Sequence, residues 1–438
     1  MNGCQGWINQ VTEIHSDLYE VKHLGRTVTQ MILEHLEQKT GSDGELLMIS
    51  EAAFLGHEHW PNRYLWTCIC DEIPDATPSI KANLPVNHHL LTQHVQLIPR
   101  GDKYSEIGFA AGGKQALTEI AENPSRDAVN QVLSPIAKRL ISPNYTSHVL
   151  TKQYQRVLNN VGKVNKRQLE VFSLLQPTVF GTDRSRGFRT KDGSSGHANM
   201  RFAEVIIMGA AVELSMLRRI WPAIDVQFVP HGKIGKKLRY EKHTCGNRLS
   251  IRYVFETDWS KSFSDKTCTL DGSGVTNFEV LQHACGEVFE NQPFVYLVNK
   301  DREKQIKAAF DVNGKKLPNS PWGLNTYQSF HNAAVLSALN PTPAHLKFLD
   351  HLCQNSATIR DALFHSQIYQ AVMRTSLRDI NATEPVRVLV PDRNAAAVLA
   401  NYFPGCSYGK QQLNLIESNK EKLGRKPAEQ KKCRKATK

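Results

Sequence analysis

The chain has 438 residues, 40% of them hydrophobic and 22% charged, a balance that excludes a membrane-embedded, collagen-like or wholly disordered protein. Its longest apolar stretch, 202–217, carries Glu204 and Glu213 and is too short to span a bilayer; the start, MNGCQGWINQ, lacks the basic-then-apolar order of a secretion signal. The formal net charge is +12, of which +7 falls in the last twenty residues, so a basic tail follows a nearly balanced body.

In chain order, apolar positions at helical spacing predict a helix over 28–38 (VTQMILEHLEQ), followed by the loop KTGSDGE. LLMIS at 46–50 reads as a short buried strand and EAAFL at 51–55 as the turn into a helix. LWTCICDEIPD at 65–75 reads as a second buried strand that stops in two carboxylates, Asp71 and Glu72, before Pro74 turns the chain. Cys68 and Cys70 are expected on one face of that strand. The nine cysteines are odd in number and show no C-x-x-C spacing, so they read as reduced structural thiols.

Residues 83–168 are rich in polar and helical signals and read as a mostly helical insertion, with KYSEI no buried strand. Strands are expected again at 205–210 and 226–229, with a helix over 211–220 between them. A second α/β region begins near His231, with strands LSIRYVF (249–255), FVYLV (294–298) and VRVLV (386–390) and helices over 344–353 and 368–377. Strands alternating with helices imply an α/β fold with helix-covered parallel sheets. The divisions read as 1–228, 229–410 and a disordered basic tail, 411–438.

The ends of parallel strands are where functional groups collect. Asp71 is placed to hold Mg²⁺ and Glu72 to polarise an attacking water, which is the chemistry of nucleoside triphosphate hydrolysis. Gln370, Arg374 and Arg378 stand at i, i+4 and i+8, near one face of a predicted helix, where two guanidinium groups could clamp a γ-phosphate. WGLNTYQ at 322–328, with Gly323 and Asn325, suits either a ligand-binding loop or a structural turn. His57-Glu58-His59 lacks the spacing of a helical zinc pair and reads as surface, and no G-x-S-x-G elbow marks a serine hydrolase.

Taken in order, these segments resemble the superfamily 2 helicases, most closely the DEAD/DEAH-like proteins of phages and mobile elements. GWINQVTEIHSD is similar to the nucleic-acid-touching segment after the first motif, and LLMISEAAFLG to the strand before the acidic motif. LWTCICDEIPD resembles that acidic motif, EVIIMGAAVELSML the third motif and FVYLVNKDRE the first strand of a second motor domain. WGLNTYQSFHNAAVLSALNPTP and QIYQAVMRTSLRD resemble the fifth and sixth motifs.

The resemblance implies two RecA-like domains with ATP in the cleft between them. It assigns Asp71 to Mg²⁺, Glu72 to water, Arg374, Arg378 and Gln370 to the γ-phosphate, and Gly323 and Asn325 to the nucleotide. Asn9 and Gln10, the basic stretch HGKIGKKLRYEK with Lys233, Lys236 and Lys237, and the tail residues Arg425 and Lys426 are expected on nucleic acid, DNA in preference to RNA. The two arginines are four apart where the common family form has them three apart.

The family's phosphate loop, G-x-x-x-x-G-K-[ST], should precede the first of these segments, and nothing before Gly6 supplies it. GFAAGGKQ at 108–115 has the glycine and lysine spacing, but Gln115 replaces the hydroxyl residue and the stretch follows the acidic motif. An N-terminal truncation, slow or absent ATP hydrolysis and a partner chain bringing the missing loop are the resulting expectations. The alternative is a non-enzymatic nucleic-acid binder of helicase descent. Either would be cytoplasmic.

Overall fold

The computed structural model describes residues 10–13, 28–38, 45–57, 60–101, 103–159, 167–181, 201–209, 212–235, 243–306, 310, 312–318, 326–352 and 356–416. The chain forms two compact units. Met1–Arg239 with Pro341–Ser366 makes the first; Tyr240–Asn340 with Gln367–Lys438 makes the second. The segment Pro341–Ser366, read from sequence as part of the second division, therefore returns to the first unit.

The first unit contains strands β1 (Gln10–Glu13), β2 (Glu45–Met48), β3 (Thr67–Cys70), β4 (Ser79–Asn83), β5 (Val95–Arg100), β6 (Tyr104–Phe109), β7 (Tyr145–Leu150), β8 (Gln168–Leu175) and β9 (Glu204–Ile207). Five of them form an antiparallel sheet in the order β4-β8-β7-β6-β5. The stretch expected to be mostly helical does hold helices Gly113–Glu122, Ala128–Ile141 and Thr151–Asn159, but they cover strands that the polar composition concealed. KYSEI is one of these: Tyr104 and Ser105 of β6 are buried.

The period of two explains how this sheet packs. Leu169 and Val171 of β8 join Leu117, Leu133, Ile136, Tyr154 and Val157 of the three helices. Phe172, on the opposite face, joins a separate cluster with Tyr104 and Phe348. That second face is covered by the helix Pro343–His351, which lies in the returning segment. Phe348 stacks on Phe172 at 4.7 Å and meets Tyr104 edge-on at 5.2 Å. The Oγ1 of Thr342 caps the helix by accepting from the His345 amide at 3.1 Å and donates to Glu170 at 2.6 Å.

The remaining strands of the first unit form two parallel ladders, β1 with β2 and β3 with β9. The strand expected over 226–229 is instead irregular chain, held by Phe228 stacked 6.1 Å from Trp221.

The second unit contains β10 (Leu249–Phe255), β11 (Thr267–Leu270), β12 (Ser273–Thr276), β13 (Phe294–Leu297), β14 (Gly314–Lys316), β15 (Asn332–Val335), β16 (Val386–Asp392), β17 (Ser407–Lys410) and β18 (Leu415–Ile416). Six of these form an all-parallel sheet, β14-β13-β15-β16-β10-β17. Its central strands are buried on both faces, which is why VRVLV and LSIRYVF read as near-continuous apolar runs. The helix Asn277–Phe289 contributes Phe278, Leu281, Ala284, Cys285 and Phe289 to the cluster that takes in Leu389 of β16. Strands β11, β12 and β18 make a small antiparallel sheet beside it. The architecture is thus mixed α/β. Among the described residues no helix is long and apolar enough to cross a membrane.

One buried carboxylate knits the carboxyl edge of the parallel sheet. Asp392, fully buried, accepts from the Ala395 amide at 2.9 Å, capping the helix Arg393–Tyr402, and from the Trp259 amide at 2.8 Å. The Trp259 indole in turn donates to the Leu336 carbonyl at 3.2 Å. Asp392→Ala removes a helix cap and strands a buried amide, so it should cost about 2–4 kcal/mol in denaturant unfolding; a loss below about 0.5 kcal/mol would contradict this role.

The docked helix also predicts a pH dependence. His345 stacks 5.8 Å from Phe172, and His148 of β7 lies 5.6 Å from Phe348. Burial lowers the pKa of both imidazoles. Asp75, Glu170 and a Thr77 backbone bond oppose this for His345. Glu106 and a Thr146 backbone bond oppose it for His148, while Arg100 and His351 add to it. Both folded-state values lie below the unfolded one, so the unfolded chain binds protons first as pH falls. Their contribution is complete above about pH 6.5 and declines below it. Replacing both histidines with glutamine should make the fall in unfolding midpoint from about pH 7.5 to 5 shallower than in the wild type. An unchanged slope would contradict the assignment.

Candidate functional site

The acidic pair sits where a parallel strand ends. β3 runs from Thr67 to Cys70 beside β9, with Cys70 opposite Ile207, and the Met208 amide donates to the Cys70 carbonyl at 2.8 Å. Asp71 then leaves the ladder and is exposed, while Glu72 is half-buried. The strand is not the buried one the sequence suggested. Cys68 and Cys70 face the core cluster, but Ile69 between them is 51% exposed. A two-stranded ladder covered on one face leaves alternate residues in solvent.

The turn beyond the carboxylates is fixed by close packing. At Gly209, two residues after β9, a Cβ would come within 2.6 Å of Cγ1 of Ile73. Glycine there lets the two strand ends approach. Asp75 closes the next turn by accepting from the Thr77 amide at 2.9 Å. Glu51 opens the helix Glu51–Leu55, capped by Ser50, and its carboxyl is pushed up by burial and then by the charges of Asp75 and Glu72. Next to the pair, the neighbouring Cys70 thiol and burial push the Cys68 thiol's pKa up.

Hard oxygen donors at a strand end suit Mg²⁺, which takes one or two carboxylates and fills its remaining positions with water and phosphate. Asp71 and Glu72 fit that donor set. No group of three or more His, Cys, Asp or Glu placed to form an all-protein metal cage occurs among the described residues.

In the second unit, Gln370 and Arg374 do meet: Nη2 of Arg374 donates to Oε1 of Gln370 at 3.5 Å. The expected continuous helical face is a different matter. The helix Ser366–Val372 ends before Arg374, Thr375 is extended, and Arg378 lies in a separate 3₁₀ turn, Ser376–Arg378. Thr375 breaks the helix by donating from Oγ1 to the Val372 carbonyl at 2.7 Å and accepting from the Leu377 amide at 3.3 Å. The i+8 relation of Arg378 to Gln370 is therefore lost. Arg374 is buried, at 6% exposure, and Arg378 is half-buried.

This arginine segment lies at the amino edge of the parallel sheet, and two residues missed in the sequence hold it there. Arg248, just before β10, donates to the carbonyls of Glu384 at 2.9 Å, Asp379 at 3.1 Å and Ser376 at 3.3 Å. His331, just before β15, bonds the Ser376 hydroxyl at 2.7 Å, and the Ser376 amide donates to the Phe330 carbonyl at 2.9 Å. No local spacing marks Arg248 or His331, because their partners are far along the chain.

Of the expected nucleic-acid residues, Gln10 lies in β1 and Lys233 is exposed in the short helix Gly232–Gly235. Asn9, Gly323, Asn325, Lys236, Lys237, Arg425 and Lys426 lie outside the described residues. Glu58 and His59 do also, while the His57 ring meets Trp60 edge-on at 5.1 Å. GFAAGGKQ joins β6 to the helix Gly113–Glu122, so a strand does precede it. Its glycines have structural reasons. Gly112 has φ +69°, and a Cβ at Gly113 would lie 2.4 Å from the His94 carbonyl oxygen. The strand before it is antiparallel to both neighbours, unlike that of a phosphate loop in a βαβ unit.

Gly209→Ala should push Ile73 away and loosen the turn that carries Asp71 and Glu72, costing about 1–3 kcal/mol in chemical denaturation. Wild-type stability in this variant would show that the close approach is dispensable.

No known protein family matches the chain, and no curated protein matches it. Among solved structures, one bearing the name XPD helicase is similar over 93% of this chain and 81% of its own. The two are 11% identical with a TM-score of 0.46, a likeness too slight to assign a family.

Proposed function

We propose that the chain is an ATP-hydrolysing nucleic-acid helicase or translocase of the superfamily 2 kind, akin to those of phages and mobile elements and working in the cytoplasm. The observation that supports this reading most is a parallel strand ending in Asp71-Glu72, with Ile73 packed against Gly209 beyond the neighbouring strand. Asp71 would hold Mg²⁺, and Glu72 orients and deprotonates the attacking water. Bound there, the ion would offset charge on the β- and γ-phosphates. Arg374, steadied by Gln370, and Arg378 meet the charge that develops on the γ-phosphate. Gly323 and Asn325 contact the nucleotide. Asn9, Gln10, Lys233, Lys236, Lys237, Arg425 and Lys426 contact phosphates of the nucleic acid, preferentially DNA.

Phosphate release from ATP, with and without single-stranded DNA, tests this reading. DNA-stimulated release should fall at least about 10²-fold in Glu72→Gln. It should fall by about 10³-fold in Arg374→Ala, with DNA affinity nearly unchanged in both. Release indifferent to both substitutions would overturn the residue roles. DNA binding with no ATP turnover in the wild type would overturn the enzyme and leave a passive binder.

A further inference from the structure

The segment 60–66, which leads into β3, holds a buried charge that the acidic strand end does not use. Arg63 is only 5% exposed, and among the described residues no carboxylate pairs with it. Its Nε is sealed from solvent without a hydrogen-bond partner. Burial lowers its pKa, as expected of a cation with no counter-charge beside it. The other sealed and unpartnered atoms of the segment are Nε1 of Trp60 and Nε1 of Trp66. Guanidinium and indole N–H groups donate and never accept. What all three lack is therefore an acceptor.

The turn is tied on three sides, so these donors are not free to swing onto backbone carbonyls. Nδ2 of Asn62 donates to the Leu36 carbonyl at 3.1 Å, the Trp60 ring stacks 5.7 Å from Phe54, and the Ala203 amide donates to the Trp66 carbonyl at 3.0 Å. The Trp66 amide donates to the Arg63 carbonyl at 3.0 Å, closing the 3₁₀ turn Arg63–Leu65. Such a bond holds the Cα atoms of residues 63 and 66 within about 7 Å of each other. Tyr64 and Leu65 between them are exposed, so the turn lies at the surface. Five residue steps of extended chain, about 16 Å, separate Trp66 from Asp71. The two ends of β3 thus carry separate features.

A guanidinium taken out of water without a counter-charge is strongly disfavoured, and an anion that joins it removes the penalty. Its planar fork matches oxyanions. A carboxylate offers its oxygens in one plane, whereas a tetrahedral phosphate offers them on several sides, which suits donors carried by different residues of a turn. We propose that the turn 63–66 is a phosphate-binding site, with Arg63 as the anchoring cation and the Trp66 indole N–H as a second donor. The ligand is a phosphate group, either free or part of a nucleic-acid backbone.

Inorganic phosphate is titrated calorimetrically into the full-length chain at constant ionic strength, with EDTA and without ATP. The wild type should bind it saturably. Arg63→Met should weaken that binding at least about tenfold, and so should Trp66→Phe, which keeps a ring but loses the N–H. Without phosphate, Arg63→Met should unfold no earlier than the wild type, because it removes an unpaired buried charge. Millimolar phosphate should raise the unfolding midpoint of the wild type alone. The same substitution read on a single-stranded oligodeoxynucleotide identifies the source: weakened DNA binding marks a backbone phosphate, and unchanged DNA binding marks a free one. The proposal is overturned if the wild type binds no phosphate, or if both variants bind it as the wild type does. It is equally overturned if Arg63→Met is the less stable chain in phosphate-free buffer, since the charge would then already have its partner. No readout uses ATP hydrolysis, so the outcome is separate from that of the proposed reaction.

Discussion

The pairing of β3 with β9 is the constraint on which the candidate site depends. A strand can point its side chains only two ways, and β3 uses one for the core and the other for solvent. Cys68 and Cys70 anchor it inward while Ile69 faces out, so the chain reaches Asp71 with its direction fixed. Parallel pairing puts the ends of both strands at the same edge. Gly209 then permits Ile73 to settle against the neighbouring strand's exit. Glu51, with its raised pKa, shows that several carboxyl groups share this small region and that their charges are mutually felt.

The second unit solves a different problem. Its parallel sheet is covered on both faces, so polar function can appear only at its two edges. The carboxyl edge is closed by Asp392, Trp259 and Asn340, whose amide nitrogen donates to the Trp259 carbonyl at 2.7 Å. The amino edge carries the segment of Arg374 and Arg378, pinned by Arg248 and His331. Cationic side chains held by backbone carbonyls are costly to build and give a rigid segment.

What the sequence revealed follows from these environments. Strands buried on both faces, such as LSIRYVF, FVYLV and VRVLV, are nearly uninterrupted apolar runs and are legible without context. Strands of the antiparallel sheet, such as SIKAN and YTSHVL, mix polar residues into their pattern. Glu170 and His148 of this sheet are buried because a helix more than 170 residues later covers them, which no local window can show. The helical pattern near Gln370 was real but ended early, since Thr375 offered its hydroxyl to the backbone as a competing partner. The acidic strand end was visible as a motif. Gly209, Arg248 and His331 act through contacts distant in sequence, which spacing does not encode.

We propose that a divalent ion with nucleotide is held at the end of β3. Magnesium can be replaced by ferrous iron in the presence of ATP and ascorbate and the sites of backbone cleavage mapped. A cut near residues 71–72 that needs ATP and disappears in Asp71→Ala is expected. ATP-dependent cleavage confined to other segments, or unchanged in that variant, would contradict it.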